Sequence, residues 1–403
     1  MKYCPPEYWI WLQNALGAGA NVSEILAYFE TPEELYLAGS NEWRLSGLFT
    51  EKRIAALKNS TPSQTAEIFK ECKNSGYTII TPHSDLYPER LGNLPDMPLV
   101  IYGLGDCSVL KDRLSIGIVG TRNASDYGIK TAQKLSYALT KGGATIVSGG
   151  ALGIDSEAHA GAMLAKGRTM AFLGCGLSYK YLMENAGLRK AITRYGALFS
   201  EYAPFVAPSK SSFPIRNRLI SGASLGIIVI EAGVKSGSLI TASRALDQGK
   251  DVFAVPGDII RSSFDGANHL IKNGAKPVFK AEDVLSEYDY LYGEYINNEY
   301  LDLSLNEIEY VDYRKKKAPG SAQRKSVEEK TKPKPETVKQ YKTPDDVSED
   351  AIKVFKVLSG IPLHIDDIIR VTGMKMNTVL SALTELELEG AVEQVTGKKY
   401  KLI

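Results

Sequence analysis

Between residues 113 and 281, short apolar runs alternate with segments of helical period and with glycine-rich turns, and this alternation restricts the fold more than any other property of the chain. The runs occupy 115–119, 144–147, 169–173, 197–199, 226–230 and 251–255, and helices are predicted between them, over 127–141 and 155–166 among others. Strands of this length separated by helices are the pattern of parallel βαβ units, whose strands are covered on both faces and so lack polar alternation. The expected fold class is therefore α/β, a doubly wound Rossmann-like sheet. Ligands of such sheets bind outside the carboxyl ends of the strands. The loops after Val119, Val147, Leu173, Phe199, Ile230 and Val255 are thus where function is expected.

The flanks read differently. Residues 1–75 form an expected helical domain, with Tyr8-Trp9-Ile10-Trp11-Leu12 opening one apolar face and Ile25-Leu26-Phe29 another. The stretch 47–57 resembles a small helix-turn-helix or helix-hairpin-helix unit, but its acidic surroundings favour packing or protein contact over nucleic acid. The Rossmann-like domain is expected over 76–290. An acidic segment and then a basic, disordered linker are expected over 291–344, because Lys, Pro, Ser and Glu dominate from 314 onward and Pro333 and Pro335 break any helix. Residues 345–403 offer helices over 349–358, 365–371 and 375–389, a strand at 392–395, a turn at Gly397 and a strand from 400, the order of a winged helix. Its third helix has Lys375 as its one base, which argues against major-groove reading.

The net charge of +1 hides a steep division. Residues 113–281 carry 21 Lys/Arg against 10 Asp/Glu, a net +11, whereas 282–312 hold 10 acids and no base. Residues 1–112 carry 9 against 14, and 345–403 carry 7 against 10. A basic centre points to a polyanion only when a second signal agrees. No run approaches the ~18 apolar residues of a membrane span, and the first eleven residues lack the basic start and apolar core of a signal peptide, so a cytoplasmic protein without a membrane partner is expected. Cys4, Cys72, Cys107 and Cys175 show no C-x-x-C pairing, so neither a metal site nor a disulfide frame is expected.

The second signal lies in the loops. Gly120-Thr121-Arg122 follows the first run, but the dinucleotide fingerprint G-x-G-x-x-G and its distant ribose acid are both missing, and no P-loop occurs. No cofactor is expected. What remains is an anion-friendly turn with an arginine able to fork onto a phosphate, or equally a tight turn with a surface arginine. Ser148-Gly149-Gly150, leading to Asp155 and His159, forms a second cradle of small residues. There Asp155 fits an N-cap, and His159 is expected to be packed rather than catalytic. Lys210, Phe213, Arg216, Asn217 and Arg218 combine cations for a backbone with a flat face for a base, the mixture that single-stranded nucleic acid demands. Ser236-Gly237-Ser238 completes the rim. The G-x-S-x-G at Gly222–Gly226 precedes a strand instead of following one, so no nucleophile elbow is expected.

Together, Gly120-Thr121-Arg122, Ser148 to Asp155, Phe213 to Arg218, Ser236 to Thr241 and Ala254 to Gly257 resemble the DNA-processing protein A (DprA/Smf) family over residues 80–280. The resemblance implies an extended Rossmann-like fold with a SAM-like N-terminal helical domain and a C-terminal winged-helix domain. It implies a homodimer that binds and protects single-stranded DNA during natural transformation and loads the RecA recombinase onto strands also bound by single-strand-binding protein. It places Arg122 and Lys210 on phosphates and Phe213 on a base. The implied DNA-binding set is Gly120, Thr121, Arg122, Ser148, Gly149, Gly150, Lys210, Phe213, Arg216, Asn217, Arg218, Ser236, Gly237 and Ser238, with no catalytic residue. One departure is visible: where the family shows Tyr-Pro, Tyr181 is followed by Leu182. Two rival classes are a nucleoside monophosphate phosphoribohydrolase and a winged-helix transcription regulator. The first requires a carboxylate where Thr241 stands, and threonine cannot supply its charge. The second requires a basic third helix.

Overall fold

The computed structural model describes residues 2–181, 183–314, 347–359, 362–395 and 399–402. They fall into two compact units, 1–317 and 318–403, each described by itself.

The first unit opens with α1 (Pro6–Leu16), α2 (Ser23–Phe29), α3 (Pro32–Leu45), α4 (Glu51–Lys58) and α5 (Ala66–Ser75). Prolines in the first turns of α1 and α3 lack only an N–H that no helix would use, and the Thr31 and Thr50 hydroxyls cap α3 and α4. Trp9, Ile10, Trp11 and Leu12 are buried in a core continuous with that of the sheet. A polar tie reinforces the junction: Gln13 Nε2 donates to the carbonyls of Val100 and Glu201, while its Oε1 accepts from Val100 N at 2.8 Å.

The sheet contains β1 (Thr78–Ile80), β2 (Ile101–Gly105), β3 (Ser115–Val119), β4 (Thr145–Ser148), β5 (Thr169–Leu173), β6 (Gly196–Ser200), β7 (Gly226–Val229), β8 (Asp251–Ala254) and β9 (Lys276–Pro277), in spatial order β1-β2-β6-β5-β4-β3-β7-β8-β9. Strands β6 to β9 in that order are parallel, and β1 and β2 extend the β6 edge antiparallel. The six strands expected from the sequence are all present, shifted by at most two residues at an end. Both faces are covered. Ile116, Ile118, Ile146 and Ile228 pack under α7 (Asp126–Lys141) and α8 (Ile154–Leu164). The opposite face carries Val119, Val147, Phe172 and Val229, and its core includes Leu219 and Ile220 of α10 (Ser212–Gly222) and Ala242 and Ala245 of α11 (Gly237–Asp247). The short helices α6 (Glu89–Gly92) and α9 (Ala186–Ile192), together with α12 (Asp265–Lys272), complete the layers.

Two stretches depart from expectation. The lysine- and arginine-bearing segment after β6, read as a loop through Arg218, enters α10 at Ser212; Pro214 lies in the first turn, where it removes no helical hydrogen bond. The acidic residues after 282, expected outside the Rossmann-like domain from 291 onward, pack on it as far as 314. They form α13 (Glu282–Leu285), α14 (Asp289–Tyr292) and a strap that buries Val284, Leu285, Tyr288, Ile296 and Ile308 against the α7 side of the sheet. Gln133 of α7 holds the strap by exchanging two bonds with Val311, and the Arg314 guanidinium pairs with the buried Glu157 at 2.5 Å.

The second unit contains α15 (Glu349–Val357), β10 (Leu363–His364), α16 (Ile365–Thr372), α17 (Met376–Leu388), β11 (Val392–Val395) and β12 (Lys399–Leu402), with strand order β10-β12-β11. This is the winged helix, and β10 is the strand that the sequence did not announce. The linker and the expected Gly397 turn lie outside the described residues. Among the described residues, no helix is long and apolar enough to cross a membrane, and no cluster of His, Cys, Asp or Glu is arranged to hold a metal ion. All four cysteines are buried as free thiols.

Candidate functional site

From β3 the chain proceeds through β4 and β5 to β6 on one side, then returns to place β7 on the other side of β3. Between the carboxyl ends of β3 and β7 the loops diverge, which opens a crevice at this switch in strand order. A cavity of about 330 Å³ lies there. Thr121 N donates to Glu231 O at 2.8 Å, joining the loop after β3 to the one after β7. Ile154 N donates to Thr121 O at 3.2 Å, joining it also to the loop after β4. The second junction depends on Gly153, whose φ of +75° strains any other residue and whose missing Cβ would lie 2.5 Å from Arg122 O.

One wall is a single face of α10. Phe213, Arg216, Asn217 and Ile220 recur at helical spacing and all line the cavity. Arg216 is buried; its Nη1 donates to Gly149 O at 2.7 Å and Phe172 O at 2.6 Å, while its Nε finds no partner. Burial lowers its pKa, and the nearby Asp155 opposes that shift. Asp155 accepts from the amides of Gly149 and Ala151 at 3.2 and 3.3 Å. Burial raises its pKa, against the pull of Arg216 and these amides. The opposite wall is the start of α11: Ser236 accepts from Ser238 N as the cap, and Asn217 donates to Gly237 O at 3.3 Å. The positive end of this helix dipole faces the cavity. At the mouth the exposed Arg122 lays its guanidinium 5.0 Å from the centroid of the Phe213 ring, and the Tyr181 ring lies 5.7 Å away on another side.

The expected residues divide into three groups. Gly120, Thr121, Arg122, Phe213, Arg216, Asn217, Ser236, Gly237 and Ser238 converge on the cavity. Gly149 and Gly150 line a smaller adjoining one with Arg122, Tyr181 and Phe213. Lys210 is exposed on the loop leading into α10 and lines neither cavity. Ser148 and Arg218 are elsewhere. Ser148 is buried and donates to Ile118 O at 2.6 Å. Arg218, 2% exposed, points from the opposite face of α10 and pairs with Glu201 at 2.5 Å, with Asp96 at 3.4 Å beyond. It is a structural ion pair rather than a crevice cation. His159 is packed as expected, with Nδ1 2.7 Å from the Thr169 hydroxyl. Sequence reasoning missed Tyr181, Ile220 and Asn185, which donates to Gly150 O at 3.3 Å; for Ile220, the spacing from Phe213 and Arg216 was the available signal. Asp155 is the one acid lining the main cavity among the described residues, and buried Thr241 stands where a phosphoribohydrolase would carry a second.

Residues 78–289 match the family model described as DNA recombination-mediator protein A, and residues 338–398 match the DprA winged helix domain. The chain belongs to the DNA recombination-mediator protein A family. Its relatives in this family include Protein Smf of Synechocystis sp., 32% identical with 98% of each chain covered. Another is the DNA processing protein DprA of Bacillus subtilis, 40% identical over 58% of this chain and 80% of the relative. The solved DNA processing protein A of Streptococcus pneumoniae superposes with a TM-score of 0.62 at 33% identity, covering 71% of this chain and 99% of that one. The matched span of the mediator-protein-A model contains every residue of the crevice described above.

Proposed function

We propose that the crevice between β3 and β7 binds single-stranded DNA and that the protein, as a cytoplasmic homodimer, hands this strand to the RecA recombinase in place of single-strand-binding protein during transformation. The observation that carries the reading is the stacking of Arg122 on Phe213 at the mouth of the cavity: a cation for phosphate and an aromatic face for a base, within one nucleotide of each other. The net +11 of residues 113–281 and the exposed Lys210 support it. The role is binding rather than catalysis, because Asp155 is committed to the loop amides and Thr241 carries no charge. The RecA step rests on membership of the family. A partner surface separate from the crevice fits the exposed acids Asp289 and Glu294; Glu287 is already paired with Lys276.

Titration of fluorescent oligonucleotides across salt tests the first step. Single strands should bind in preference to duplex, and Arg122→Ala or Lys210→Ala should weaken binding to every sequence and flatten the salt slope by about 0.7 per lost phosphate contact. Unchanged affinity in both variants sinks the crevice reading. Filament growth of RecA on strands coated with single-strand-binding protein tests the second. No acceleration by the wild-type protein leaves DNA binding alone standing, and a monomeric mass by light scattering at micromolar concentration removes the dimer.

A further inference from the structure

Phe213 has an aromatic neighbour that the reading above leaves unused. The Tyr181 ring lies 5.7 Å from it, tilted by 41°, and both rings line the smaller cavity beside Arg122. Rings inclined in this way present separate faces, and successive bases of one strand stack on separate aromatic faces with little regard for sequence. Nor is Tyr181 left on a free loop. Gly176 N donates to Val206 O at 2.8 Å and Ser178 N to Pro204 O at 2.9 Å, which zips residues 176–178 to the segment that leads into Phe213. A side chain at Gly176 would run into the carbonyls of Ala203 and Pro204, so this close approach needs glycine. The Ser178 hydroxyl donates to Glu71 of α5 at 2.6 Å and lies 3.0 Å from the Tyr77 hydroxyl. Tyr181 O accepts from the guanidinium of Arg189 on α9. The backbone that carries the half-buried ring is thereby held from α5 through Ser178 and from α9 through its own carbonyl, and the exposed Lys180 beside it can meet a connecting phosphate.

We propose that Tyr181 is a second base-stacking platform beside Phe213, positioned by Ser178 with Glu71 and Tyr77, so that the crevice grips two neighbouring bases. The proposal rests on the reading that single-stranded DNA occupies the crevice. Anisotropy titration of the full-length protein with oligothymidine tests it, using Tyr181→Ala, Tyr181→Phe, Phe213→Ala, the double alanine variant, Ser178→Ala and Ser178→Thr. Each ring deletion should cost at least about 5-fold in affinity, the low end for one base–aromatic stack, and the double variant should lose the product of the two. Tyr181→Phe and Ser178→Thr should bind like the wild type. Ser178→Ala should lose as much as Tyr181→Ala, and nothing further when Tyr181 is already gone. A silent Tyr181→Ala overturns the proposal, as does a double variant no weaker than Phe213→Ala, which makes Tyr181 only a prop. Loss on Tyr181→Ala beside a silent Phe213→Ala keeps this platform and removes Phe213 from the crevice reading. A wild-type protein that binds no strand fails both.

Discussion

Arg216 and Arg218 stand two positions apart on α10 and have opposite jobs. Two helical steps turn a side chain by about 200°, so one arginine enters the crevice and the other meets Glu201 under the N-terminal helices. Removing Arg218 leaves the Glu201 carboxylate buried without its cation, a loss of about 3–5 kcal/mol. Arg218→Ala should therefore lower the melting temperature strongly while the protein still folded at low temperature keeps its DNA affinity. Arg122→Ala should do the reverse, since its side chain is exposed. Calorimetry beside the DNA titration separates them, and a stable Arg218→Ala variant with weakened binding contradicts the assignment. His159 gives a pH signature. Burial lowers its pKa from 6.5 to about 3, so the folded state holds the neutral ring. Its contribution is complete above pH 6.5 and is lost as pH falls toward 3, because the unfolded chain takes up the proton first. His159→Gln should lessen the acid-induced loss by up to about 1.4 kcal/mol per pH unit in that window. Stability curves that remain parallel speak against a buried neutral imidazole.

At the scale of elements, the crevice depends on how the loops after β3 and β4 meet at Gly153. Its Cβ would collide with the carbonyls of Thr121 and Arg122 at an already strained φ. Gly153→Ala should thus cost more than the ~1 kcal/mol that a positive φ alone imposes on alanine, and should weaken DNA binding by displacing Arg122. Gly249, with φ of +65° and open space around it, is the control: alanine there should lower stability without touching affinity. Equal affinities in the two variants refute the junction. The same scale explains what was legible. The six central strands were readable because both faces are buried, which makes each a continuous apolar run. Strands β1, β9 and β10, of three, two and two residues, are too short to carry a pattern. Helix α10 was hidden by Pro214 and the serines at its start, so Arg218 was grouped with Arg216 by nearness in sequence, whereas helical spacing would have parted them. The convergence of the glycine loops on one site was legible from the strand-end rule alone. The placement of Tyr181 was not, because the bonds that anchor Ser178 just before it run to Tyr77 and Glu71, over a hundred positions away.

For the whole molecule, the charge division acquires a physical reading. The ten acids of 282–312 lie against a region of net +11, and Lys276–Glu287 and Lys280–Asp302 pair across that boundary. The strap ends at Arg314, whose guanidinium neutralises Glu157, a side chain with no exposure. Burial raises the Glu157 pKa and Arg314 opposes that shift. A chain cut after 314 keeps all of these contacts, so it should melt like the full-length first unit and bind single-stranded DNA within about twofold of wild type, a difference under ~0.5 kcal/mol. A chain cut after 290 loses Ile296, Ile308, the Val311 bonds to Gln133 and the Arg314 cation. The orphaned carboxylate alone should then cost about 3 kcal/mol or more, with the uncovered apolar side of α7 adding to it. Glu157→Gln in the shorter chain should recover part of that loss, because a neutral amide is far cheaper to leave buried than a charge. Urea denaturation of the three chains decides the matter: if the cut after 290 is as stable as the cut after 314, the strap is only a surface covering and contributes nothing to the fold of the first unit.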